Sequence, residues 1–156
     1  MFSCLSVDNM RKSDMRTIET KTPSIELMER AAYAVFEELD IDKKIYIISG
    51  SGNNGGDGIA LCKILIERGK SPYLFLASDK LSNDSKYFLD RIKGYKNIFD
   101  VSVCDYNADI IVDCLLGTGF HGDVSSELEK TITNINNSNA YVVSVDIPSG
   151  LNGNNG

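Results

Sequence analysis

Short apolar runs recur along the chain, and more polar stretches with helical spacing separate them. The runs do not alternate with polar residues, which is typical of strands that are covered on both faces. We therefore expect a sheet enclosed between two layers of helices. Five runs are predicted strands: residues 45–48, 73–77, 99–104, 109–116 and 141–145.

The stretches beside these runs predict amphipathic helices. From Met28 to Leu39 apolar residues recur at helical spacing, and Thr22 followed by Pro23 predicts the cap and first turn of this helix. Four further helices are predicted: residues 8–20, 59–68, 82–93 and 126–136. Because strands and helices alternate, we predict one α/β domain over residues 1–156, a three-layer α/β/α Rossmann-like fold with a mostly parallel sheet of five strands.

Charge and cysteine usage narrow the class of protein. The chain has 16 Lys and Arg against 22 Asp and Glu, a net charge of −6, which argues against a nucleic-acid partner. No apolar run is long enough to cross a bilayer, and residues 1–16 lack the order of a signal peptide. Cys4, Cys62, Cys104 and Cys114 lack zinc-site spacing, so we expect reduced thiols that pack as small apolar side chains. The expected location is the cytoplasm, with no membrane partner.

The segment after the first predicted strand is rich in glycine. It is GSGNNGGDG, residues 50–58, and it leads directly into the helix predicted from residue 59. Glycines let a ligand approach main-chain N–H groups, and a helix N-terminus attracts an anion, so a phosphorylated small molecule is expected here. The spacing Gly50-x-Gly52-x-x-Gly55 also fits a dinucleotide fingerprint, with Asp79 placed as a ribose-binding carboxylate. A plain tight turn, and for Asp79 a loop before a helix, remain the alternatives.

Two other predicted strands end in acidic, glycine-containing segments. DCLLGTGFHGD, residues 113–123, includes the end of the fourth strand, and DIPSG, residues 146–150, follows the fifth. Because the carboxyl ends of parallel strands meet at one edge, these segments and the glycine segment should lie together. We therefore expect a functional cleft at this edge, and scattered surface carboxylates are the alternative.

These segments together resemble a known family. GNNGGDG before a helix, VDCLLGTGFHGD and VVSVDIPSGLN are similar to the motifs of the NAD(P)H-hydrate epimerase family, the YjeF N-terminal domain, and LMERA at residues 27–31 is similar to its N-terminal helix. The resemblance covers nearly the whole chain. It implies an isomerase that interconverts the R and S forms of hydrated NADH and NADPH (NAD(P)HX). A separate S-specific dehydratase, dependent on ADP or ATP, would then restore the cofactors.

The resemblance also implies roles for individual residues. The substrate-binding loops would contain Asn53, Asn54, Gly55, Gly56, Asp57, Gly117, Thr118, Gly119, Phe120, His121, Gly122, Asp123 and Asp146. A bound potassium ion would be held by Asn54, Asp113 and Ser149. Their hard oxygen donors suit an alkali or alkaline-earth ion rather than zinc, and a cation would offset repulsion between carboxylates and the phosphates of the substrate.

The chemistry of such a substrate requires proton transfer. Its hydroxyl is on the ring carbon beside nitrogen, so configuration is lost by expelling hydroxide or by opening and closing the ring, and both routes need an acid and a base. We predict Asp123 and Asp146 as catalytic residues, Asp123 as the general acid/base and Asp146 as a group that holds the ring or ribose. The alternatives are an N-cap near Ser125 for Asp123 and a loop brace for Asp146.

The chain departs from the family pattern at two places. His121 stands where the family usually has Lys or Arg, so it would meet a phosphate, assist proton transfer, or remain solvated. Family domains continue past DIPSG with further strands, so we expect that the last strands are lacking and that a sheet edge is exposed. A homodimer is possible, and the preference between the two hydrated cofactors stays open.

Two other functions are considered. A non-catalytic ligand-binding or dimerisation module would have lost the acidic motif residues, whereas Asp113, Asp123 and Asp146 are present here. A nucleotide-dependent dehydrogenase would need a second domain and a hydride-transfer site. The sequence therefore favours the epimerase.

Overall fold

Helices and strands alternate along residues 6–20 and 22–153, which the computed structural model describes. The helices are α1 (Val7–Thr20), α2 (Ser24–Glu38), α3 (Asn53–Glu67), α4 (Asn83–Arg91) and α5 (Ser126–Asn136). The strands are β1 (Ile45–Ser49), β2 (Tyr73–Leu76), β3 (Ile98–Asp100), β4 (Ile110–Cys114) and β5 (Tyr141–Ser144). The predicted alternation of strands and helices is confirmed, and the helix predicted over residues 126–136 has the predicted bounds.

The five strands form one sheet in the order β3-β2-β1-β4-β5, and every pair is parallel. Ile48 of β1 lies opposite Phe75 of β2 and Asp113 of β4. The chain moves outward in one direction from β1 to β3 and then returns to β4 on the other side of β1. The gap between the ends of β1 and β4 is thus the point where ligands bind in such sheets.

Side chains of the sheet alternate between two apolar cores. On one face Ile47 and Leu74 pack with α2, α3 and α4 in the larger core. On the other face Ile48 and Ile111 pack with Ile135 of α5. Each fully buried Ile contributes about 1.5–3 kcal/mol, so both faces stabilise the sheet. This arrangement confirms the predicted three-layer α/β/α fold.

Helix α3 begins earlier than predicted. The expected start was residue 59, whereas the helix already begins at Asn53 inside the glycine segment. Glycine costs about 1 kcal/mol in a helix relative to alanine, which is why the pattern indicates a loop. Here the absence of side chains lets α3 pack closely on its neighbours, since a Cβ on Gly56 would lie 2.6 Å from the Met28 Cε of α2.

The third strand and the start of α2 also differ from the prediction. Strand β3 ends at Asp100, and Asp100 caps a short 3₁₀ helix, Val101–Val103, by accepting a hydrogen bond from the Ser102 N–H. Residues 99–104 were predicted as one strand, and this is wrong because a local side-chain bond replaces the ladder. Helix α2 begins at Ser24 with Pro23 as the flanking residue, so Thr22 is buried but is not the cap.

The cysteines of the described residues behave as apolar side chains. Cys62 and Cys114 are buried free thiols, and Cys104 is partly buried. Burial raises the pKa of Cys62 to about 12 and the pKa of Cys114 well above its usual range. Both thiols are therefore protonated and unreactive, as expected. Cys4 lies outside the described residues.

Strand β5 is an edge of the sheet, as expected. Tyr141 is 73% exposed and Val142 37% exposed, which contrasts with the fully enclosed strands β1 and β4. Within residues 6–20 and 22–153, no helix combines the length and the hydropathy that a membrane span needs.

Candidate functional site at the carboxyl edge of the sheet

The first turns of α3 lie directly on the ends of β1 and β4. A Cβ on Gly55 would overlap the carbonyl oxygen of Gly50, and a Cβ on Gly58 would lie 2.5 Å from the Ser49 Oγ and 2.9 Å from the Cys114 Cβ. Only glycine permits this approach, because the neighbouring atoms belong to the main chain or to fully buried side chains. The helix therefore brings Asn53 to Asp57 to the carboxyl edge.

Asn54 connects α3 to the segment after β4. Its side chain is buried, and its Nδ2 donates a 3.0 Å hydrogen bond to the carbonyl oxygen of Leu116. The Leu116 N–H donates a 2.9 Å bond to the Ser149 Oγ, which in turn donates a 2.6 Å bond to Asp113 Oδ1. Asn54, Asp113 and Ser149 thus belong to one hydrogen-bonded network around Leu116.

The Asp113 carboxylate is the buried charge of this network. It is 4% exposed, and it accepts bonds from the N–H groups of Leu115 at 3.2 Å and Ser149 at 3.0 Å. The hydroxyls of Ser149 and Ser144 donate to it as well. A buried carboxylate is tolerated only with such partners, so these bonds hold the loop after β5 against the end of β4.

Two buried oxygens at this edge have no hydrogen-bond partner in the described residues. They are the Asn54 Oδ1 and the Ser49 Oγ, and an unpaired buried polar group costs about 1–3 kcal/mol. An amide oxygen that is left open in this way suits an ion or a bound molecule. Among residues 6–20 and 22–153, no group of three or more His, Cys, Asp or Glu side chains could hold a metal ion.

Asp146 is held by the loop after β4. Its Oδ2 accepts bonds from the Thr118 N–H at 2.6 Å and the Thr118 Oγ1 at 3.0 Å. Gly117 fits between this carboxylate and α3, since a Cβ there would lie 2.6 Å from the Asp146 Oδ2 and 3.2 Å from the Asn54 Cβ. Asp146 also has a φ of 69°, a left-handed conformation that is uncommon outside glycine and concentrates at functional sites.

Asp57 lies within electrostatic range of Asp146. Asp57 is partly buried, and burial together with the negative charge of Asp146 raises its pKa to about 7. Its charge in turn contributes to the raised pKa of Cys114 at the end of β4. No group in the described residues lowers the pKa of Asp57 through a hydrogen bond. Asp57 is therefore a carboxyl group that can exchange a proton near neutral pH.

A crevice of about 330 Å³ opens at the carboxyl ends of β1 and β4, where the strand order reverses, and Leu116 of the network described above lines it. It is formed by the residues after β1, β2 and β4 and by the start of α5. The polar groups around it include Ser51, Ser78, Ser125 and Glu127. Of these, Ser78 and Glu127 were not predicted as site residues, because no local pattern shows that the segment after β2 and the start of α5 meet at one crevice.

The remaining predicted substrate residues lie further out. Asn53, Gly119, His121 and Gly122 are exposed, and Phe120 is partly buried. Asp123 is also exposed and lines a separate hollow of about 380 Å³ with Gly150 and residues of α5. Helix α5 is capped by Ser125, whose Oγ accepts the Leu128 N–H, so the alternative of Asp123 as N-cap is wrong.

Other groups of the site were found only in the structure. Ser49 is fully buried with an unpaired hydroxyl, yet in the sequence it is simply the last residue of an apolar run. A polar residue at the end of an apolar run is the signal that could have marked it. Thr118 was predicted as a substrate residue, and the structure shows that it also anchors Asp146.

Comparisons with known proteins agree with this arrangement. Residues 24–156 match the model of a family described as YjeF-related protein N-terminus. A protein of Anaerococcus prevotii named NAD(P)H-hydrate epimerase is 37% identical in an alignment 162 residues long that covers 94% of this chain and 74% of that protein. A protein of the same name from Oenococcus oeni is 39% identical over 142 residues, which cover 86% of this chain and 68% of that protein.

A solved structure shares the fold. The crystal structure of the yeast protein ynu0 superposes with a TM-score of 0.81 at 21% identity, over 96% of this chain and 72% of that chain. At this identity the likeness supports the fold alone, whereas the family model and the two bacterial relatives cover most of the sequence. The chain belongs to the YjeF-related protein N-terminus family.

Proposed function

We propose that this chain is an NAD(P)H-hydrate epimerase, an isomerase that interconverts the R and S forms of NAD(P)HX in the repair of nicotinamide cofactors. Its relatives from Anaerococcus prevotii and Oenococcus oeni have this name. The observation that carries the proposal is the approach of Asn54 and Asp146 at Gly117, on the edge where parallel sheets bind ligands, with Asp57 near enough to Asp146 for its pKa to be raised by that charge. Carboxyl groups at this place can supply and recover the proton that epimerisation requires.

The start of α3 and the crevice offer room for a dinucleotide. The first N–H groups of a helix have no partner within it, and the helix dipole favours negative charge at this end. We place the substrate phosphates at this helix start, beside the exposed Gly52 and Asn53. The hydroxylated ring then lies toward Asp57 and Asp146, and the rest of the dinucleotide extends along the crevice between β1 and β4.

We further propose that a potassium ion binds beside the substrate, with Asn54, Asp113 and Ser149 as ligands. The buried, unpaired Asn54 Oδ1 supports this, and the network around Leu116 already gathers the three side chains. Amide, carboxylate and hydroxyl oxygens are the donors that hard cations prefer. When bound, the ion would supply positive charge that reduces repulsion between the acidic site and the phosphates.

The epimerase proposal is tested by incubating the purified protein with a mixture of NADHX or NADPHX epimers and following the R form by chromatography. We expect the epimer ratio to relax faster than in buffer. Asp146→Ala should slow this relaxation, because the anchored carboxylate beside Gly117 is lost. Asp90→Asn, an exposed substitution on α4, is the matched control. A ratio that relaxes no faster than in buffer would favour the non-catalytic binding or dimerisation module.

The potassium proposal is tested by thermal unfolding in potassium chloride and in choline chloride at equal ionic strength. Potassium should raise the Tm saturably, because an ion that binds only the folded state stabilises it. Asn54→Ala should remove this effect, whereas Asn53→Ala at the exposed neighbouring position should keep it. Equal Tm values in both salts, or an unchanged effect in Asn54→Ala, would contradict the proposal.

The cellular setting is also a proposal. Free, buried Cys62 and Cys114 agree with a reducing compartment such as the cytoplasm. The S epimer that this protein forms would be consumed by a separate dehydratase dependent on ADP or ATP. A second copy of the chain could pair with the exposed edge strand β5.

A further inference from the structure

We propose that Asp57 is the catalytic acid/base of this site and that Asp146, anchored by Thr118, stabilises the cation that forms on the substrate ring. This inference rests on the proposed epimerase function. It assigns proton transfer to Asp57 of α3, whereas the sequence predicts Asp123 for this role. It also gives Asp146 an electrostatic role rather than a role in holding the ribose.

The packing of α3 fixes the position of Asp57. The next residue, Gly58, presses against the ends of β1 and β4, since a Cβ there would meet the Ser49 Oγ at 2.5 Å and the Cys114 Sγ at 3.0 Å. One turn earlier, Asn54 is bound to the Leu116 carbonyl. The residues before and after Asp57 are therefore both fixed by contacts of α3. A proton donor needs such a fixed position.

Asp146 is fixed independently. The two bonds from Thr118 determine the direction of its Oδ2, and Gly117 leaves the space in which this oxygen approaches Asn54. The carboxylate remains exposed on its other side. A negative charge in this position can face a cation on the substrate, and it needs no reorganisation during the reaction.

The two carboxyl groups differ in environment, which allows them to differ in role. The titratable groups that face Asp57 are Asp146 after β5 and the Cys114 thiol at the end of β4. Burial and the charge of Asp146 raise the pKa of Asp57 to about 7, so that it holds a proton in a useful fraction of molecules at neutral pH. A pair of carboxyl groups with unequal environments is a known way to separate an acid from a charge stabiliser.

The proposed step is balanced. The Asp57 carboxyl transfers its proton to the hydroxyl oxygen of the substrate, the bond between carbon and oxygen breaks, and water leaves with the electron pair of that bond. The ring nitrogen shares its lone pair with the carbon, and the resulting cation faces Asp146. Water then adds to the opposite face of the ring and releases a proton to solvent, and Asp57 regains its proton from solvent. The product is the other epimer, and no oxidant, reductant or co-reactant is consumed.

The experiment measures kcat/KM between pH 5 and 9 for the purified protein and for three variants. The parent protein should lose activity as the pH rises through about 7, because the acid form of Asp57 is lost. Asp57→Asn should reduce kcat about 100-fold while KM changes little. Asp123→Asn and His121→Asn test the other titratable groups of the neighbouring loop, and both should keep the parent's pH profile.

The outcomes separate the two proposals. If the parent protein relaxes the epimers at no pH, the epimerase function itself fails. If the parent is active but Asp57→Asn retains its kcat, or if the loss of activity above pH 7 disappears in His121→Asn or Asp123→Asn, the role of Asp57 is refuted. If Asp57→Asn does not fold, Asp57→Glu takes its place: a lowered kcat with the loss of activity at high pH retained supports the role of Asp57, whereas an unchanged kcat refutes it.

Discussion

Two effects act in the same direction on the Asp57 carboxyl. Desolvation disfavours its charged form, and the nearby charge of Asp146 disfavours it further. Its pKa of about 7 in the folded protein compares with 3.8 for an unperturbed aspartate. The folded state therefore binds more protons than the unfolded state between these two pH values, and the free energy of unfolding must fall as the pH rises through this window.

Asp57→Asn should therefore stabilise the protein at alkaline pH. At pH 8.5 the parent protein carries a buried charge that the amide lacks, so we expect the variant to be more stable by on the order of 2–4 kcal/mol. At pH 4 the carboxyl is protonated in the folded state and about half protonated in the unfolded state, so the difference should be small. Urea unfolding at pH 4 and 8.5, without potassium, measures this.

Asp90→Asn is the control for this comparison, because Asp90 is exposed. Its stability relative to the parent protein should show little dependence on pH. If the free energies of unfolding of Asp57→Asn and of the parent differ by the same amount at both pH values, the surroundings do not raise the pKa of the Asp57 carboxyl.

At the scale of elements, the contact of α3 with the strand ends determines the site. The helix packs through glycines on Gly50, Ser49 and Cys114, and through Gly56 on Met28 of α2 and Ser85 of α4. Because these contacts are made by main chain and small side chains, α3 cannot move away without displacing Asn54 and Asp57. The low helix propensity of its first residues is thus offset by packing.

Gly55→Ala should disrupt this docking. Its Cβ would overlap the Gly50 carbonyl oxygen, which belongs to the main chain and cannot turn aside. We expect a loss of about 3 kcal/mol or more in the free energy of unfolding. Gly52→Ala is the matched control, since a Cβ there meets nothing within 4 Å and should cost less than about 1 kcal/mol. Equal losses for the two variants in urea unfolding would show that the docking is looser than described.

Helix α5 depends on its cap. It covers one face of the sheet, and the Ser125 Oγ accepts the Leu128 N–H at its first turn. Ser125→Ala should reduce stability by about 1 kcal/mol, whereas Ser126→Ala, at the next exposed position, should have almost no effect or a small stabilising one. If the two variants have the same Tm, the hydroxyl bond contributes nothing to α5.

At the scale of the whole molecule, stability is concentrated in the middle of the sheet. Strands β1 and β4 are buried along their full length, whereas β5 is an exposed edge and β3 has only three residues. The carboxyl edge of the sheet includes residues from both the buried centre and the exposed edge strand. Asn54 and Asp113 belong to the rigid centre, while Asp146 follows the edge strand and is held by bonds from the loop after β4.

Hydrogen exchange measured by mass spectrometry should show this gradient. Amides of β1, β4 and the buried part of α3 should exchange only through global unfolding, whereas β5 should exchange through local opening with lower protection. Addition of potassium should protect the residues around Leu116 and Ser149 if the proposed ion binds. Uniform protection across the sheet would contradict the gradient.

The chain's local patterns were sufficient to predict the strands, the parallel sheet and the three segments at its carboxyl edge. The strands follow from the hydrophobic pattern of neighbouring residues. The common edge follows from the rule that parallel strands have their carboxyl ends on the same side of the sheet. Composition and motifs also led to the family. The errors fall where side chains or packing override propensity, at the start of α3, at Asp100 and at Thr22.

Only the tertiary structure decided how the site residues are paired. Segments that are distant in the chain meet where Asp57 lies near Asp146 and where Thr118 anchors Asp146. The same packing leaves the oxygens of Ser49 and Asn54 buried and unpaired. Such contacts depend on how closely α3 packs against the strand ends, to within a few tenths of an ångström, and no periodic pattern encodes that distance. The pKa of a carboxyl depends on the same distances, so its chemical role becomes visible only in the folded molecule.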